Sequence, residues 1–92
     1  MNRTEYMVYI LYSLTCDRYY VGQTKNMERR LEEHRTSHGR FTTRAKDWEL
    51  VFLERKNTLE EAIDLEQTIK KGKSRRSIER YIRNARNEIA HV

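Results

Sequence analysis

Residues 6–12, YMVYILY, interleave two sets of apolar and aromatic side chains with no breaker among them, which is a strand pattern rich in β-branched and aromatic residues. Residues 13–17 read as a turn. Residues 18–22, RYYVG, then form a second strand that ends at Gly22, and a connection of five residues makes an antiparallel hairpin the natural pairing.

Beyond the hairpin, Asn26 can cap a helix that begins at Met27, carries Glu28 in its first turn and Leu31 on its apolar side, and reaches His34. Residues 35–46 are polar, rich in Ser and Thr, and include Gly39, so they read as a long loop. Residues 48–55, WELVFLER, are the third strand. Thr58 and Glu61 have the spacing of a capping box, which announces a second helix with Leu59, Ala62, Ile63 and Ile69 at helical spacing and a stop at Gly72. A third helix starts near Ser74 or Ser77, with Ile78, Ile82, Ala85 and Ile89 as its apolar stripe. The expected fold is α+β: one domain over residues 1–92, with a small three-stranded antiparallel sheet flanked by about three helices in the order β-β-α-β-α-α.

Composition narrows the class further. Leu, Ile, Val and Phe are about a fifth of the 92 residues, at the edge of disordered chains, but six Tyr, one Trp and three Met move the balance toward a folded domain with a small core. A single cysteine, Cys16, excludes an intrachain disulfide. No apolar run approaches the ~18 residues that span a bilayer, and no signal peptide pattern opens the chain, so a soluble, cytoplasmic protein without a membrane partner is expected. The net charge of +5 is unevenly spread: residues 69–86 hold eight basic side chains against one acid, Glu79. Such density suits a phosphate-backbone binder, and equally a solvated helix face.

Three features suggest chemistry. Turning 100° per residue from Leu59, Glu66 falls at about 340°, inside the stripe formed by Ala62, Ile63 and Ile69. A carboxylate there is a metal ligand facing a cleft, a residue salt-bridged to a nearby Arg, or a Glu at the helix rim. Arg30 and His34, four apart, rise on one helix face, where a cation and a proton carrier can address one phosphate, although the neighbouring Arg29 also suits an ordinary surface helix. Tyr9 and Tyr20 lie on strands that the hairpin sets side by side. His34 and His38 have a zinc-like spacing, but Cys16 and His91 complete no recognisable ligand set, so a structural zinc site is rejected.

In this order, Val8-Tyr9-Ile10, Tyr20-Val21-Gly22, Arg30-Leu31-Glu32-Glu33-His34, the Trp-led strand, and Ala62, Glu66, Ile69, Lys70 and Lys71 resemble the GIY-YIG endonuclease domain from Tyr6 to about Arg80. The resemblance implies hydrolysis of DNA phosphodiester bonds dependent on Mg²⁺ or Mn²⁺, with Glu66 as the single protein ligand of the metal. By position it implies Arg30 on the scissile phosphate, Tyr9 as general base toward water, Tyr20 ordering water or phosphate, and His34 relaying a proton. Tyr9 then needs the metal or Arg30 to lower its pKa. Gly22 would let the backbone approach the site closely. The stripe of Lys70, Lys71, Lys73, Arg75, Arg76 and Arg80 would hold duplex or branched DNA, with a targeting protein as a further partner. The chain departs from the family pattern at Met7, which stands where the family name has glycine, and in lacking a motif-fixed late asparagine, for which Asn84 and Asn87 are the candidates and Asn84 is the one named. Two alternatives remain: a nucleic-acid-binding module of the same fold with little cleavage, and a protein-interaction domain with an acidic partner.

Overall fold

The computed structural model describes residues 5–35, 45–72, 74–84 and 87–89. Strands β1 (Tyr6–Ser13), β2 (Arg18–Thr24) and β3 (Glu49–Lys56) and helices α1 (Met27–Arg35), α2 (Leu59–Lys71) and α3 (Arg75–Ile82) follow in the order β1-β2-α1-β3-α2-α3. The fold is α+β, as expected. One antiparallel sheet has the order β2-β1-β3, so the tyrosine-bearing first strand is its centre. Most of the expected loop at residues 35–46, together with Lys73, Ala85 and Arg86, lies outside the described residues.

The central position of β1 explains its composition. Val8 and Ile10 pack on one face with Val21, Phe52, Ala62 and Ile69, while Tyr9 and Leu11 pack on the other with Ala45, Trp48 and Leu53. Residues 8–11 are all fully buried, because α2 and α3 cover the first face and Met27 and Leu31 of α1 lie on the second. A strand covered on both sides cannot alternate apolar with polar.

Side-chain clamps hold the hairpin turn. Asp47 accepts from Ser13 Oγ at 2.6 Å and from the Thr15 backbone N–H at 3.0 Å. Arg75 Nη2 donates to the Asp17 carbonyl at 2.7 Å and pairs with its carboxylate at 2.9 Å, which ties the start of α3 to the turn. Asp17 has φ of 53°, a left-handed conformation that Asp tolerates better than most residues.

Helix α2 begins with the anticipated capping box, Thr58 Oγ1 accepting from the Glu61 N–H at 3.1 Å and Glu61 Oε1 accepting from the Thr58 N–H at 3.3 Å. Its buried face is rotated from the expected one. Ala62 and Ile69 are buried and Leu65 packs beside them, whereas Leu59 and Ile63 are exposed. Leu65 lies at about 240° on the same wheel, which moves the centre of the stripe away from Glu66 and leaves that carboxylate at the rim. Gly72 ends the helix in right-handed conformation, so its missing Cβ serves the close approach of Ser77 and not backbone freedom.

Helix α3 corrects a second expectation. It starts with Ser74 as N-cap and ends at Ile82, so Ile89 does not continue its apolar stripe. Ile89 instead packs in the cluster of Tyr9, Trp48 and Leu53 on the opposite face of the sheet. The cause is Asn87, whose Oδ1 accepts from the Leu53 N–H at 3.0 Å and the Ile89 N–H at 3.1 Å, and whose Nδ2 donates to the carbonyls of Val51 at 3.0 Å and Ile82 at 2.8 Å. Glu88 adds a backbone bond to Leu53 O at 2.7 Å, and the segment covers the outer edge of β3. Asn87→Ala removes the partner of a buried strand N–H and should cost about 2–3 kcal/mol. A urea titration would show this as a lower midpoint with an unchanged slope, and an unaltered midpoint would refute the clasp.

Candidate active site

Tyr9 sits in the middle of the central strand, and its cross-strand partner in β2 is Gly22. A Cβ at Gly22 would lie 2.5 Å from Tyr9 Oη and 2.7 Å from Cζ, so only glycine lets the tyrosine ring lie across the neighbouring strand. Two residues earlier on the same face, Tyr20 places its ring 6.3 Å from that of Tyr9.

Helix α1 lies on this face of the sheet and delivers Arg30 and His34 from one side of the helix, as i,i+4 spacing requires. Arg30 Nε donates to Tyr9 Oη at 3.1 Å, and His34 Nε2 lies 3.2 Å from the same oxygen. The His34 ring is 4.6 Å from that of Tyr20. Four of the residues picked out in the sequence thus form one contact group. Arg30 also pairs through Nη1 with Glu33 Oε1 at 3.3 Å, and Glu33 receives Arg29 Nε at 3.2 Å. Sequence reasoning passed over Glu33, although its spacing from both arginines was visible.

Electrostatics set the protonation states. Burial pushes the Tyr9 hydroxyl up to about 12, and Arg30 opposes the shift without overcoming it. Of the two means of lowering Tyr9, the metal or Arg30, Arg30 alone does not bring it below its ordinary value, because desolvation of a phenolate in the core outweighs one cation at its edge. His34 is shifted the other way: burial, then the Arg30 charge, lowers its pKa. With phenol and imidazole both neutral, the bond between them runs from the Tyr9 O–H to His34 Nε2 in one imidazole tautomer and from Nε2–H to Tyr9 Oη in the other, while Arg30 donates into the same oxygen. Arg30 itself is held more firmly cationic by its bond to Tyr9.

The sign of a stability effect follows. His34, neutral in the fold, contributes stability that is complete above its ordinary pKa of 6.5 and is lost as the pH falls through its depressed folded value. The urea midpoint of the wild type should thus drop between pH 7 and pH 5 by more than that of His34→Phe. Equal drops would mean that another group controls the acid side.

Glu66 approaches from α2, at the edge where that helix packs against the sheet. Its charge raises the Tyr9 pKa, so the carboxylate is within electrostatic reach of the hydroxyl. Glu66 Oε2 accepts from Lys70 Nζ at 2.7 Å, and the carboxyl-bearing side chain is only 17% exposed. The salt-bridged reading of this residue is therefore realised with lysine in place of arginine, and it does not conflict with ion binding, because an exposed i,i+4 pair is held by well under ~1 kcal/mol. No group of three or more His, Cys, Asp or Glu able to hold an ion occurs among the described residues. A hard divalent cation with one carboxylate, water and substrate phosphate as ligands fits Glu66, which is the usual binding mode of Mg²⁺.

The remaining candidates lie elsewhere. Lys70, Lys71, Arg76 and Arg80 are exposed on α2 and α3, while Arg75 is engaged by Asp17 and by the Tyr19 ring, 5.7 Å from its guanidinium carbon. Asn84 is exposed beyond α3 and lines a cleft with Ser77, Arg80 and Tyr81 that shares no residue with the Tyr9 group. Asn87, the other late asparagine, is the clasp on β3.

A buried phenol, an arginine, an imidazole and a rim carboxylate on an α+β scaffold form a set suited to moving a proton beside a phosphate and balancing its charge. A family model of the GIY-YIG catalytic domain matches residues 5–85, and the chain belongs to that family of nucleases. GIY-YIG nucleases act on DNA and are generally dependent on divalent metals. No curated protein and no solved structure matches the chain. No helix among the described residues is long and apolar enough to cross a membrane.

Proposed function

We propose that the protein is a divalent-metal-dependent endonuclease that hydrolyses DNA phosphodiester bonds at the group formed by Tyr9, Tyr20, Arg30, His34 and Glu66. The observation that carries this reading is the convergence of Arg30 Nε and His34 Nε2 on one buried oxygen, Tyr9 Oη. A buried hydroxyl needs a hydrogen-bond partner, but one neutral group would satisfy it, whereas a guanidinium and an imidazole on the same oxygen suit proton transfer next to a phosphate.

In this mechanism Tyr9 works as a relay and not as a free-standing base. The attacking water gives a proton to Tyr9 Oη while the tyrosine O–H gives its own to His34 Nε2, so the charge comes to rest on the imidazole and no buried phenolate accumulates. The water oxygen forms its bond to phosphorus as the bond to the leaving oxygen breaks, and that oxygen departs with the bonding electron pair and takes a proton from solvent. Arg30 holds the non-bridging oxygens through Nη2, which has no partner among the described residues, and its Nε keeps Tyr9 in place. Tyr20 borders the imidazole and restricts where water can sit. Mg²⁺ or Mn²⁺ held by Glu66 would supply Lewis-acid stabilisation of the phosphate charge. Lys70, Lys71, Arg76 and Arg80 supply backbone contacts from α2 and α3, and Lys73 and Arg75 fall between them in the sequence.

A nicking time course on supercoiled plasmid tests this reading. Conversion to open circle is expected with Mg²⁺ or Mn²⁺ and not with EDTA. A plasmid that is shifted on a gel in a salt-sensitive way yet never nicked would overturn it in favour of a binding module.

A further inference from the structure

Between the end of β2 and the first turns of α1 lies an open cleft of about 270 Å³, lined by Thr24, Lys25, Asn26, Arg29, Arg30 and Glu33. Three of these six residues are cations and one is an anion. Arg30 belongs to both this cleft and the Tyr9 group, so the cleft adjoins the proposed reaction centre.

The geometry points to a second phosphate subsite in this cleft, formed by Lys25 and Arg29, which grips a DNA phosphate adjacent to the one held by Arg30. The inference rests on the DNA-cleavage reading and extends it. Phosphates follow one another closely along each strand, so a strand held at Arg30 presents its next phosphates to cations beside that residue. Lys25 and Arg29 are both exposed and line the same cleft as Arg30.

The walls of the cleft are ordered before any ligand arrives. Thr24 Oγ1 accepts from the Asn26 N–H at 3.1 Å, and Asn26 Oδ1 accepts from the Arg29 N–H at 3.1 Å, which fixes the entry to α1. The Lys25 ammonium is 5.1 Å from the Tyr6 ring centre, and this cation–π contact keeps the side chain at the cleft wall. Glu33 bridges Arg29 and Arg30 with one oxygen to each. A phosphate can replace that carboxylate on both guanidinium groups, since planar guanidinium forks recognise either anion. The Arg29 side chain is 77% exposed, and its pair with Glu33 is of the weakly held surface kind, so it can exchange partners.

The test is the salt dependence of binding to a labelled DNA duplex in EDTA. Lys25→Ala/Arg29→Ala should weaken binding and make the slope of log K against log salt shallower by about one, the counterions of one phosphate. Arg18→Ala/Lys46→Ala removes the same charge at the turn end of the sheet and should leave the slope unchanged. Lys25→Arg/Arg29→Lys, which keeps both charges, should restore it. In plasmid nicking, the alanine pair should raise KM and leave kcat in place. A slope equal to that of the Arg18/Lys46 control, in a protein whose wild type binds and nicks DNA, overturns the subsite alone. A wild type with no salt-dependent DNA binding overturns the nuclease reading beneath it.

Discussion

Glu66→Gln should abolish metal-dependent nicking, lowering the single-turnover rate by about 10³-fold or more, because a metal's stabilisation of phosphate charge is worth several kcal/mol. The substitution keeps shape and volume and removes the negative charge on which a hard cation depends. Stability should scarcely change. What is lost in the fold is the Lys70 pair at 2.7 Å, an exposed i,i+4 contact worth about 0.3–0.5 kcal/mol. Binding of Mn²⁺ followed by calorimetry gives a readout independent of turnover, and it should fall with the activity. Full nicking by a well-folded Glu66→Gln protein would remove this residue from the site.

Arg30→Ala should lower kcat by about 10²–10³-fold, the usual consequence of deleting one donor that stabilises developing charge. Two functions disappear together: the cation facing the phosphate and the Nε–H bond of 3.1 Å that holds Tyr9 Oη. Because Arg30 opposes the upward shift of Tyr9, its loss should also drive that hydroxyl further from ionisation. Arg30→Lys should recover little, since an ammonium cannot bond the tyrosine through one nitrogen while presenting a second to the substrate. Circular dichroism should show both variants folded. A kcat within about twofold of wild type would refute the assignment, and a collapsed spectrum would instead make Arg30 a structural residue.

Much of this protein is legible in local rules. The hairpin follows from two aromatic, β-branched runs around a short turn, the second helix from Thr58 and Glu61, and the pairing of Arg30 with His34 from helical spacing alone. Gly22 was legible as a close-approach position, and the structure adds which group approaches: the Tyr9 ring. The misreadings share one origin. The apolar stripe on α2 was centred using Leu59 and Ile63, which are exposed, because a helical wheel cannot say which flank meets the sheet. Ile89 fitted the period of α3 but belongs to the other side of the sheet, because Asn87 offers β3 a full set of hydrogen bonds and turns the chain there.

Periodicity, capping and spacing act within a few residues along the chain, so the amino-acid sequence by itself determined the elements, their order and the four side chains that could meet. Burial, by contrast, is a property of what arrives from elsewhere. Only the tertiary structure decided that burial holds the Tyr9 phenol at about 12 and lowers the pKa of the His34 imidazole against it. It also decided that Glu66 stands at a helix rim beside Lys70, and that Arg30 joins the Tyr9 group to a cation-lined cleft. The physical reason is that desolvation and charge pairing depend on atoms separated by tens of residues in sequence, and those atoms become neighbours only when the sheet is covered on both faces.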